Sequence, residues 1–355
     1  MVPVITWLNP LVRDSCAWAW EEPSYRELLD YTRKYADVFY NYDGYCPDLF
    51  PDDLDKKNRR FKNKQGHEFW EVEIETPKGP LTSQYQVKHA GATLKFWVES
   101  EEDLEKLLSI PWKLSKRDFS EFFENKKILG QRGAISVVLA DPICGIEAIK
   151  PELRAVWSIE KRSLIRNLVD IVFDRQMEHL EYLLKNIGST ETVFYFNGPE
   201  YALPPLMSPK DFDEFVMAYD PKLIERVHDF GGLTIVHSHG KVNNFLEKFR
   251  DMGTDGLNVL EPPPMGDVIL SDAKKRIGKE VCLIGNIEYS DLATLSKEEI
   301  REKVKTCIRD AGVGGGFILS PSASCYEIPF PQKTSDNFLT MIKAGRKYGV
   351  YPLKF

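Results

Sequence analysis

The chain has 355 residues, of which 43% are hydrophobic and 28% are charged, and its formal net charge at pH 7 is -7. This is the composition of a globular protein with a large core, and it argues against a basic protein that binds nucleic acid. No apolar run approaches the roughly 20 residues of a transmembrane helix, and the first residues lack the pattern of a secretory signal. We therefore expect a cytoplasmic protein that contacts neither nucleic acid nor membrane.

The N-terminal part contains two candidate strands, at residues 3–7 and 37–40, with a helical stretch near residues 24–35 between them. A short basic cluster follows at Lys56, Lys57, Arg59 and Arg60. Because acidic and aromatic residues flank this cluster, it is expected to be a solvated loop rather than a phosphate-binding site. Residues 69–99 then alternate with a period of two around a Pro-Lys-Gly-Pro turn, which predicts an inserted antiparallel hairpin or small sheet.

From residue 134 onward, short apolar runs alternate with amphipathic stretches of helical length. The predicted strands are residues 134–139, 192–196, 233–237, 256–260, 281–284 and 316–319. Ser296 with Glu299, and Ser100 with Asp103, have the spacing of helix-capping pairs. Strands separated by helices imply parallel pairing, so residues 1–355 are predicted to form a single (β/α)8 TIM-type barrel with an N-terminal elaboration that includes a β-hairpin.

Candidate functional residues follow the predicted strands, because barrels of this kind have their active sites at the C-terminal ends of the strands. The polar and reactive side chains at these ends are Asp141, Asn197, Glu200, Tyr201, His237, His239, Glu261, Asn286, Cys325, Tyr326 and Glu327. The six cysteines of the chain are scattered, with no Cys-x-x-Cys pair, and are expected to be free thiols.

His237 and His239 form the most informative pair, since the whole chain contains only six histidines. Residues two apart in an extended segment point to the same side, so both imidazoles can reach one metal ion. Glu200, Cys325 or Glu261 could complete the ligand set, and such a mixture of ligands favours zinc. The alternative is a metal-free pair of hydrogen-bonded histidines.

Several segments resemble the uroporphyrinogen decarboxylase-like superfamily. They are HSHGK (237–241), residues 252–278, LIGNIE (283–288), GGGFILSPSAS (314–324), residues 341–352 and, upstream, residues 98–111 and 196–216. This superfamily contains uroporphyrinogen decarboxylases and zinc-assisted enzymes that move a methyl group to or from the cobalamin of a separate corrinoid protein. The decarboxylases carry an arginine-rich N-terminal segment that grips carboxylates. Here Arg13 and Arg26 are separated by acids and tryptophans, so the methyltransferase and O-demethylase branch is the closer match.

This resemblance implies a methyltransferase that acts on a small methylated substrate, such as an aryl methyl ether, and on a corrinoid protein, with Zn2+ as a Lewis acid. Zinc sites of the branch often read His-x-Cys, with a later cysteine. His237 falls on the first position, His239 replaces the cysteine, and Cys325 falls near the last position. Glu200 fits the more varied ligand sets of the O-demethylases. A homodimer is expected by analogy.

The resulting assignments are as follows. The metal ligands are His237, His239, Glu200 and Cys325, the catalytic residues are His237, His239, Glu200 and Asn286, and the substrate-binding residues are Asn197, Tyr201, Tyr326 and Asp141. Asp141 is also a candidate hydrogen-bond partner of a metal-binding histidine. Two alternatives stay open: a uroporphyrinogen decarboxylase-type lyase, in which the histidines act as an acid–base pair, and a non-catalytic scaffold that binds a tetrapyrrole or corrinoid.

Overall fold

The computed structural model describes residues 1–12, 16–45, 47–51, 54–64, 66–87, 92–189 and 191–354. The strands in chain order are Val38–Asp43 (β1), Lys56–Lys62 (β2), Glu68–Ile74 (β3), Leu81–Gln86 (β4), Thr93–Lys95 (β5), Gly133–Ala140 (β6), Thr192–Asn197 (β7), Leu233–Ser238 (β8), Gly256–Val259 (β9), Cys282–Ile287 (β10) and Phe317–Pro321 (β11). The α-helices are Ala17–Glu21 (α1), Arg26–Tyr35 (α2), Glu101–Leu108 (α3), Ser120–Leu129 (α4), Pro151–Glu160 (α5), Arg162–Ile187 (α6), Pro209–Phe212 (α7), Asp220–Asp229 (α8), Leu246–Asp251 (α9), Leu270–Arg276 (α10), Tyr289–Thr294 (α11), Lys297–Ala311 (α12) and Gln332–Tyr348 (α13).

The main sheet is curled and parallel. Within the described residues it has seven strands in the order β1-β6-β7-β8-β9-β10-β11. Each strand predicted from residue 134 onward is present, and helices connect these strands, as the alternation of apolar runs indicated. All four residues of β9 and the first five of β7 are buried, which is typical of a parallel sheet covered on both faces. None of the described helices is both long and apolar enough to cross a bilayer.

The two ends of this sheet approach each other through the N-terminal segment. Val4 forms a parallel bridge with Leu319 of β11, and Ile5 N donates to Leu319 O at 3.0 Å. On the other side, Asp37 N donates to Val4 O at 2.8 Å, immediately before β1. The strand predicted at residues 3–7 is reduced to this bridge, because Trp7 has a φ of 61°, which ends the extended backbone.

A second sheet is antiparallel and has the order β2-β3-β4-β5 among the described residues. The strands β3, β4 and β5 fall, apart from Glu68, inside the antiparallel segment predicted at residues 69–99, and the last four residues of that segment lie beyond the sheet. The expectation of a loop at the basic cluster was wrong, because the backbone of β2 pairs with β3 along its whole length. The side chains of the cluster are nevertheless exposed, and cations of β2 face acids of β3, as in the Arg59–Glu71 ion pair at 2.9 Å.

The curl of the main sheet encloses a small apolar layer. It consists of Ile5, Val193, Tyr195, Ile235 and Ile284. Side chains alternate along a strand, so the residue two positions after each of these faces the same interior. This rule places Asn197, two residues after Tyr195, and His237, two residues after Ile235, directly above the apolar layer.

Candidate active site

A cavity of about 380 Å³ opens at the carboxyl ends of the strands. The floor of the cavity is formed by the ends of neighbouring strands. Asn197 of β7 lies opposite His237 of β8, and His237 lies opposite Asn258 of β9. The lining residues are Trp7, Asn41, Val138, Tyr195, Asn197, His237, His239, Asn258, Ser322, Ala323 and Ser324. Three of the residues predicted from sequence, His237, His239 and Asn197, are therefore brought together.

His237 is held through its Nδ1 atom. This nitrogen lies 2.6 Å from Asn258 Oδ1 and 2.8 Å from the hydroxyl of Tyr195. The orientation of the Asn258 amide is set by Nδ2, which donates to Ile284 O at 3.2 Å. Asn258 Oδ1 is therefore an acceptor, Nδ1 of His237 carries the proton, and Nε2 retains its lone pair.

Burial, followed by the neighbouring His239, lowers the pKa of His237 to about 4. The imidazole is consequently neutral at physiological pH. Burial also raises the pKa of Tyr195 well above its ordinary value, so its hydroxyl keeps the proton and donates it to Asn258 Oδ1 at 2.7 Å. The result is a neutral, oriented imidazole, the form in which histidine binds a metal or accepts a proton.

His239 has an acidic partner. Its Nδ1 lies 2.9 Å from Glu261 Oε1, and the second carboxylate oxygen accepts from Gly240 N at 2.7 Å. The bond to Glu261 raises the pKa of His239. Burial acts to raise the pKa of Glu261, but the bonds from His239 and Gly240 outweigh it and the net shift is downward. Glu261 is therefore a carboxylate that orients His239.

Glu200 lies near His239, in the turn that follows β7. Its Oε2 atom is buried and has no hydrogen-bond partner among the described residues. Burial raises the pKa of Glu200, and the charge of His239 acts in the opposite direction. A buried carboxyl oxygen without a partner is costly, so this atom is a candidate for binding a ligand or an ion.

Cys325 is not brought to the histidines. Its thiol is 2% exposed, and burial, followed by Glu327, raises the pKa of the thiol well above its ordinary value. Tyr25 and Tyr289 are within electrostatic range of this thiol, and Cys325 does not line the cavity. The structure therefore places Cys325 near Tyr25, Tyr289 and Glu327 rather than in a shared ligand set.

Asn286 and Asp141 also lie outside the cavity. Asn286 Nδ2 donates to Leu260 O at 3.1 Å, and Asn286 Oδ1 accepts from the thiol of Cys307 at 3.3 Å. Asp141 is fully buried and accepts from Cys144 N at 2.9 Å. Neither side chain forms a hydrogen bond with a histidine of the described residues. The residues that orient His237 and His239 are Asn258 and Glu261 rather than Asp141.

Tyr201 and Tyr326, predicted to bind substrate, lie at the rim. The ring of Tyr201 stacks on Arg154, with 4.4 Å between the guanidinium carbon and the ring centroid. Tyr326 stacks on Tyr289, with 5.3 Å between ring centroids, and is half exposed. Neither lines the cavity itself.

Sequence reasoning missed Trp7, Asn41, Tyr195, Asn258 and the serines after β11. Tyr195 could have been predicted from the rule that residues two apart on a strand face the same side. Tyr195 and Asn197 on β7 have the same spacing as His237 and His239 on β8. Asn258 carried a weaker signal, as a polar residue within an apolar strand. Trp7 carried none, because its place in the cavity depends on the bond from its Nε1 to Pro321 O at 2.9 Å.

The two imidazoles and Glu200 fit a metal by their donor chemistry. The imidazole rings are 4.6 Å apart between centroids and nearly perpendicular, at 88°. Each has Nδ1 bonded to a protein oxygen and Nε2 without a partner in the described ranges, which is the usual arrangement of metal-binding histidines. As placed, no three His, Cys, Asp or Glu side chains of the described residues form a metal-binding group. The fit is therefore one of donor type and orientation.

Comparison with known proteins identifies the family to which the chain belongs. A family model described as "Uroporphyrinogen decarboxylase (URO-D)" matches residues 114–348, which is more than half of the chain. The chain belongs to the uroporphyrinogen decarboxylase family. The matched residues carry the cavity except for Trp7 and Asn41.

Curated members of the uroporphyrinogen decarboxylase family that resemble this chain have two kinds of name. A methylcobamide:CoM methyltransferase, MtaA, from Methanosarcina barkeri is 30% identical over 192 residues, which are 54% of this chain and 51% of that protein. A uroporphyrinogen decarboxylase from Pseudoalteromonas translucida is 27% identical over 158 residues, which are 43% of this chain and 41% of that protein. The chain thus spans about half the length of the curated relatives it matches.

A solved structure supports the fold over nearly the whole chain. A methyltransferase from Methanosarcina mazei superposes with a TM-score of 0.63 and 18% identity, covering 98% of this chain and 94% of that one. The N-terminal segment outside the family match, with its antiparallel sheet, is therefore included in the similarity of fold.

Proposed function

We propose that the protein is a corrinoid-dependent methyltransferase, which moves a methyl group between a small methylated substrate and the cobalamin of a separate corrinoid protein. The proposal depends on the pair His237 and His239 at the open edge of the sheet. Each is oriented through Nδ1 and has no partner for Nε2 among the described residues. The similarity to a methylcobamide:CoM methyltransferase supports methyl transfer as the type of reaction.

In this proposal His237, His239 and Glu200 hold Zn2+. Bound there, zinc supplies a Lewis acid that stabilises negative charge on the atom losing or gaining the methyl group. Two imidazoles and one carboxylate would supply three protein ligands, the number that catalytic zinc sites usually have. Cys325 is not part of the set, because its thiol is buried elsewhere.

The remaining residues of the cavity orient the substrate and its ligands. Asn258 and Tyr195 hold His237, and Glu261 holds His239, so neither imidazole has to reorganise when the substrate binds. Asn197 presents an amide to the substrate, and Trp7 presents an aromatic surface. A volume of about 380 Å³ lies within the range of small-molecule sites, and an aryl methyl ether is the substrate we propose.

The charge of the cavity favours methyl transfer over the decarboxylation of uroporphyrinogen. No lysine or arginine appears among the described residues that line it, whereas a substrate with many carboxylates needs a cationic pocket. Arg26, one of the two N-terminal arginines, is exposed on α2. Arg13 lies outside the described residues.

We also propose that the curled sheet closes as a (β/α)8 barrel in which residues 3–5 are the eighth strand, and that residues 1–355 form one domain. The bonds from Ile5 N to Leu319 O and from Asp37 N to Val4 O support this closure on either side of the segment. The homodimer and the cytoplasmic location stay predictions from the sequence.

The metal content of the purified protein tests the proposal. We expect about one zinc per chain in the wild type and in Cys325→Ala, and its loss in His237→Ala and His239→Ala. His228→Ala is the matched control, because His228 bonds Asp255 at 2.8 Å on the surface and should not affect zinc. A folded wild type that takes up no zinc when zinc is offered would remove the metal mechanism.

Activity assays then distinguish methyl transfer from the two alternatives. With zinc bound, we expect methyl transfer between a methylated donor and a reduced corrinoid protein, and no release of CO2 from uroporphyrinogen. Release of CO2 at a useful rate would show instead that the decarboxylase alternative is correct. Tight binding of a corrinoid or porphyrin without turnover would point to the scaffold alternative.

A further inference from the structure

A second cavity lies where the antiparallel sheet meets the turns that follow β1 and β6. Its volume is about 340 Å³, and the residues that line it are Tyr45, Asp48, Phe50, Pro51, Lys56, Ser83, Tyr85, Thr93, Phe96, Trp97, Glu147 and Ala148. None of these described residues lines the cavity that contains the two histidines. This second cavity, called the aromatic cavity below, is therefore separate from the candidate active site.

Backbone pairing holds the two walls of the aromatic cavity together. Val98 forms a parallel bridge with Ile149, and Val98 N donates to Ala148 O at 3.1 Å. Trp97 directly precedes Val98 on the side of the antiparallel sheet, and Glu147 directly precedes Ala148 on the side of the main sheet. The aromatic wall and the acidic wall are thus fixed relative to each other by hydrogen bonds.

Aromatic rings form most of the wall of this cavity. They belong to Tyr45, Phe50, Tyr85, Phe96 and Trp97, and each is partly buried. Phe50 meets Trp97 edge to face, with 5.3 Å between ring centroids. Arg117 lies over the ring of Tyr45 at 4.4 Å, but no lysine or arginine of the described residues lies over the other four rings. Ring faces carry partial negative charge and attract alkylammonium ions.

Two carboxyl groups add negative charge to the aromatic cavity. Neither Asp48 nor Glu147 forms an ion pair with a described residue. Burial raises the pKa of Asp48 to about 6, and Glu147 acts in the same direction. The amide of Phe50 and the charges of Arg175 and Lys56 lower this pKa without outweighing burial. A cation bound beside Asp48 would stabilise its ionised form.

A lysine lies at the mouth of the aromatic cavity without neutralising it. Lys56 is exposed and forms no ion pair with a described residue, whereas its neighbour Lys57 forms one with Glu75 at 2.8 Å. Adjacent residues of a strand point to opposite faces, so Lys57 faces away from the cavity that Lys56 lines. Lys56 therefore competes with a cation that enters the cavity, and Lys57 does not.

We propose that the aromatic cavity binds a small molecule that carries an alkylammonium group, of the size and kind of choline. A quaternary ammonium has no N–H group to satisfy, so ring faces and nearby carboxylates replace its hydration. The volume of about 340 Å³ lies within the range of small-molecule sites. The inference does not depend on the proposed methyl transfer, because the two cavities share none of the described residues that line them.

A matched pair of probes tests the inference by calorimetric titration of the full chain at fixed ionic strength. The probes are choline and 3,3-dimethylbutanol, in which a carbon atom replaces the charged nitrogen. We expect choline to bind about tenfold or more tightly than the alcohol, a difference of about 1.4 kcal/mol. Equal binding of the two probes, or no binding of choline, overturns the inference.

Two substitutions then test the wall of the cavity. Asp48→Asn removes a charge but keeps an oxygen that can accept from Phe50 N, so the chain should fold and its preference for choline should fall about threefold or more. Trp97→Leu keeps an apolar side chain without the ring and should also weaken the preference. A full preference in Asp48→Asn overturns the inference, whatever the stability of Trp97→Leu.

Lys56→Gln provides a test in the opposite direction. Removal of the competing cation should tighten the binding of choline about threefold and leave that of the alcohol unchanged. Lys57→Gln is the matched control, because it removes the same charge from the opposite face of β2 and should leave both affinities unchanged. Equal gains in the two variants would show an effect of net charge alone and would overturn the assignment of the site.

His237→Ala distinguishes this site from the proposed active site. Its side chain lies outside the aromatic cavity, so the preference for choline should persist in this variant while zinc is lost. Loss of the preference in His237→Ala would place choline among the histidines and overturn the inference. A retained preference in a protein that transfers no methyl group would refute the proposed function and leave the alkylammonium site intact.

Discussion

The two histidines of the cavity are held by acceptors of different charge. Asn258 is neutral, and burial lowers the pKa of His237 to about 4. Glu261 is a carboxylate, and its bond raises the pKa of His239. His237 is therefore a neutral imidazole at physiological pH, whereas the carboxylate of Glu261 favours the protonated form of His239, which competes with metal binding.

Asn258 is the residue on which the orientation of His237 depends. In Asn258→Leu, Nδ1 loses its 2.6 Å acceptor, so the single tautomer of the wild type should become a mixture. We expect the affinity for zinc to fall by about 10–100-fold, as for other residues that orient metal ligands. Nitrogen NMR of the metal-free protein reports the tautomer, and competition with a chelator reports the affinity.

Tyr195→Phe is the control for this variant. It removes one hydroxyl but leaves Asn258 Oδ1 in place, so the loss of affinity should be smaller than in Asn258→Leu. Zinc affinity equal to that of the wild type in Asn258→Leu, or a greater loss in Tyr195→Phe, would contradict the role assigned to Asn258.

At the scale of elements, the start of α12 was predicted from local sequence and is confirmed. Ser296 Oγ accepts from Glu299 N at 3.3 Å, and Ser296 N donates to Glu299 Oε2 at 2.8 Å. The helix Lys297–Ala311 begins directly after this pair. A capping pair needs residues only three positions apart, which is why the sequence is sufficient to identify it.

Ser296→Ala should therefore cost about 1 kcal/mol of the free energy of unfolding, the usual effect of losing such a cap. Chemical denaturation measures the difference. Ser290→Ala is the control, because the hydroxyl of this exposed serine forms no hydrogen bond with the described residues. Equal stability of the two variants would show that the cap does not contribute.

The strand β2 shows where element prediction failed. Its side chains are exposed, so no alternation of apolar residues marks it. Its backbone is ordered by pairing with β3, residue by residue from Lys56 with Ile74 to Lys62 with Glu68. Backbone pairing with a partner elsewhere in the chain leaves no trace in local hydrophobicity, which explains the error.

At the scale of the whole molecule, the C-terminal helix α13 packs on the N-terminal segment. Gly345 lies so close to Val4 that an added Cβ would meet its Cγ2 at 2.6 Å, and it would meet Leu319 Cδ2 at 3.0 Å. Arg346 forms an ion pair with Asp37 at 3.0 Å. These contacts surround the N-terminal segment at Val4, which lies in space between β11 and β1.

Gly345→Val should therefore destabilise the chain by about 1–3 kcal/mol, because it overpacks this junction. Thermal unfolding followed by circular dichroism measures the change. Lys347→Val places the same side chain at an exposed position of the same helix and should cost well under 1 kcal/mol. A Gly345→Val protein as stable as the wild type would contradict the tight contact and weaken the proposal of a closed barrel.

The sequence by itself determined the alternation of strands and helices from residue 134 onward and the position of His237 and His239 at a strand end. Both depend on periodicity and spacing within a few residues. Only the tertiary structure decided that Asn258 and Glu261 hold these histidines. Such partners lie on different strands and helices, and local sequence carries no record of which distant residues the fold brings into contact.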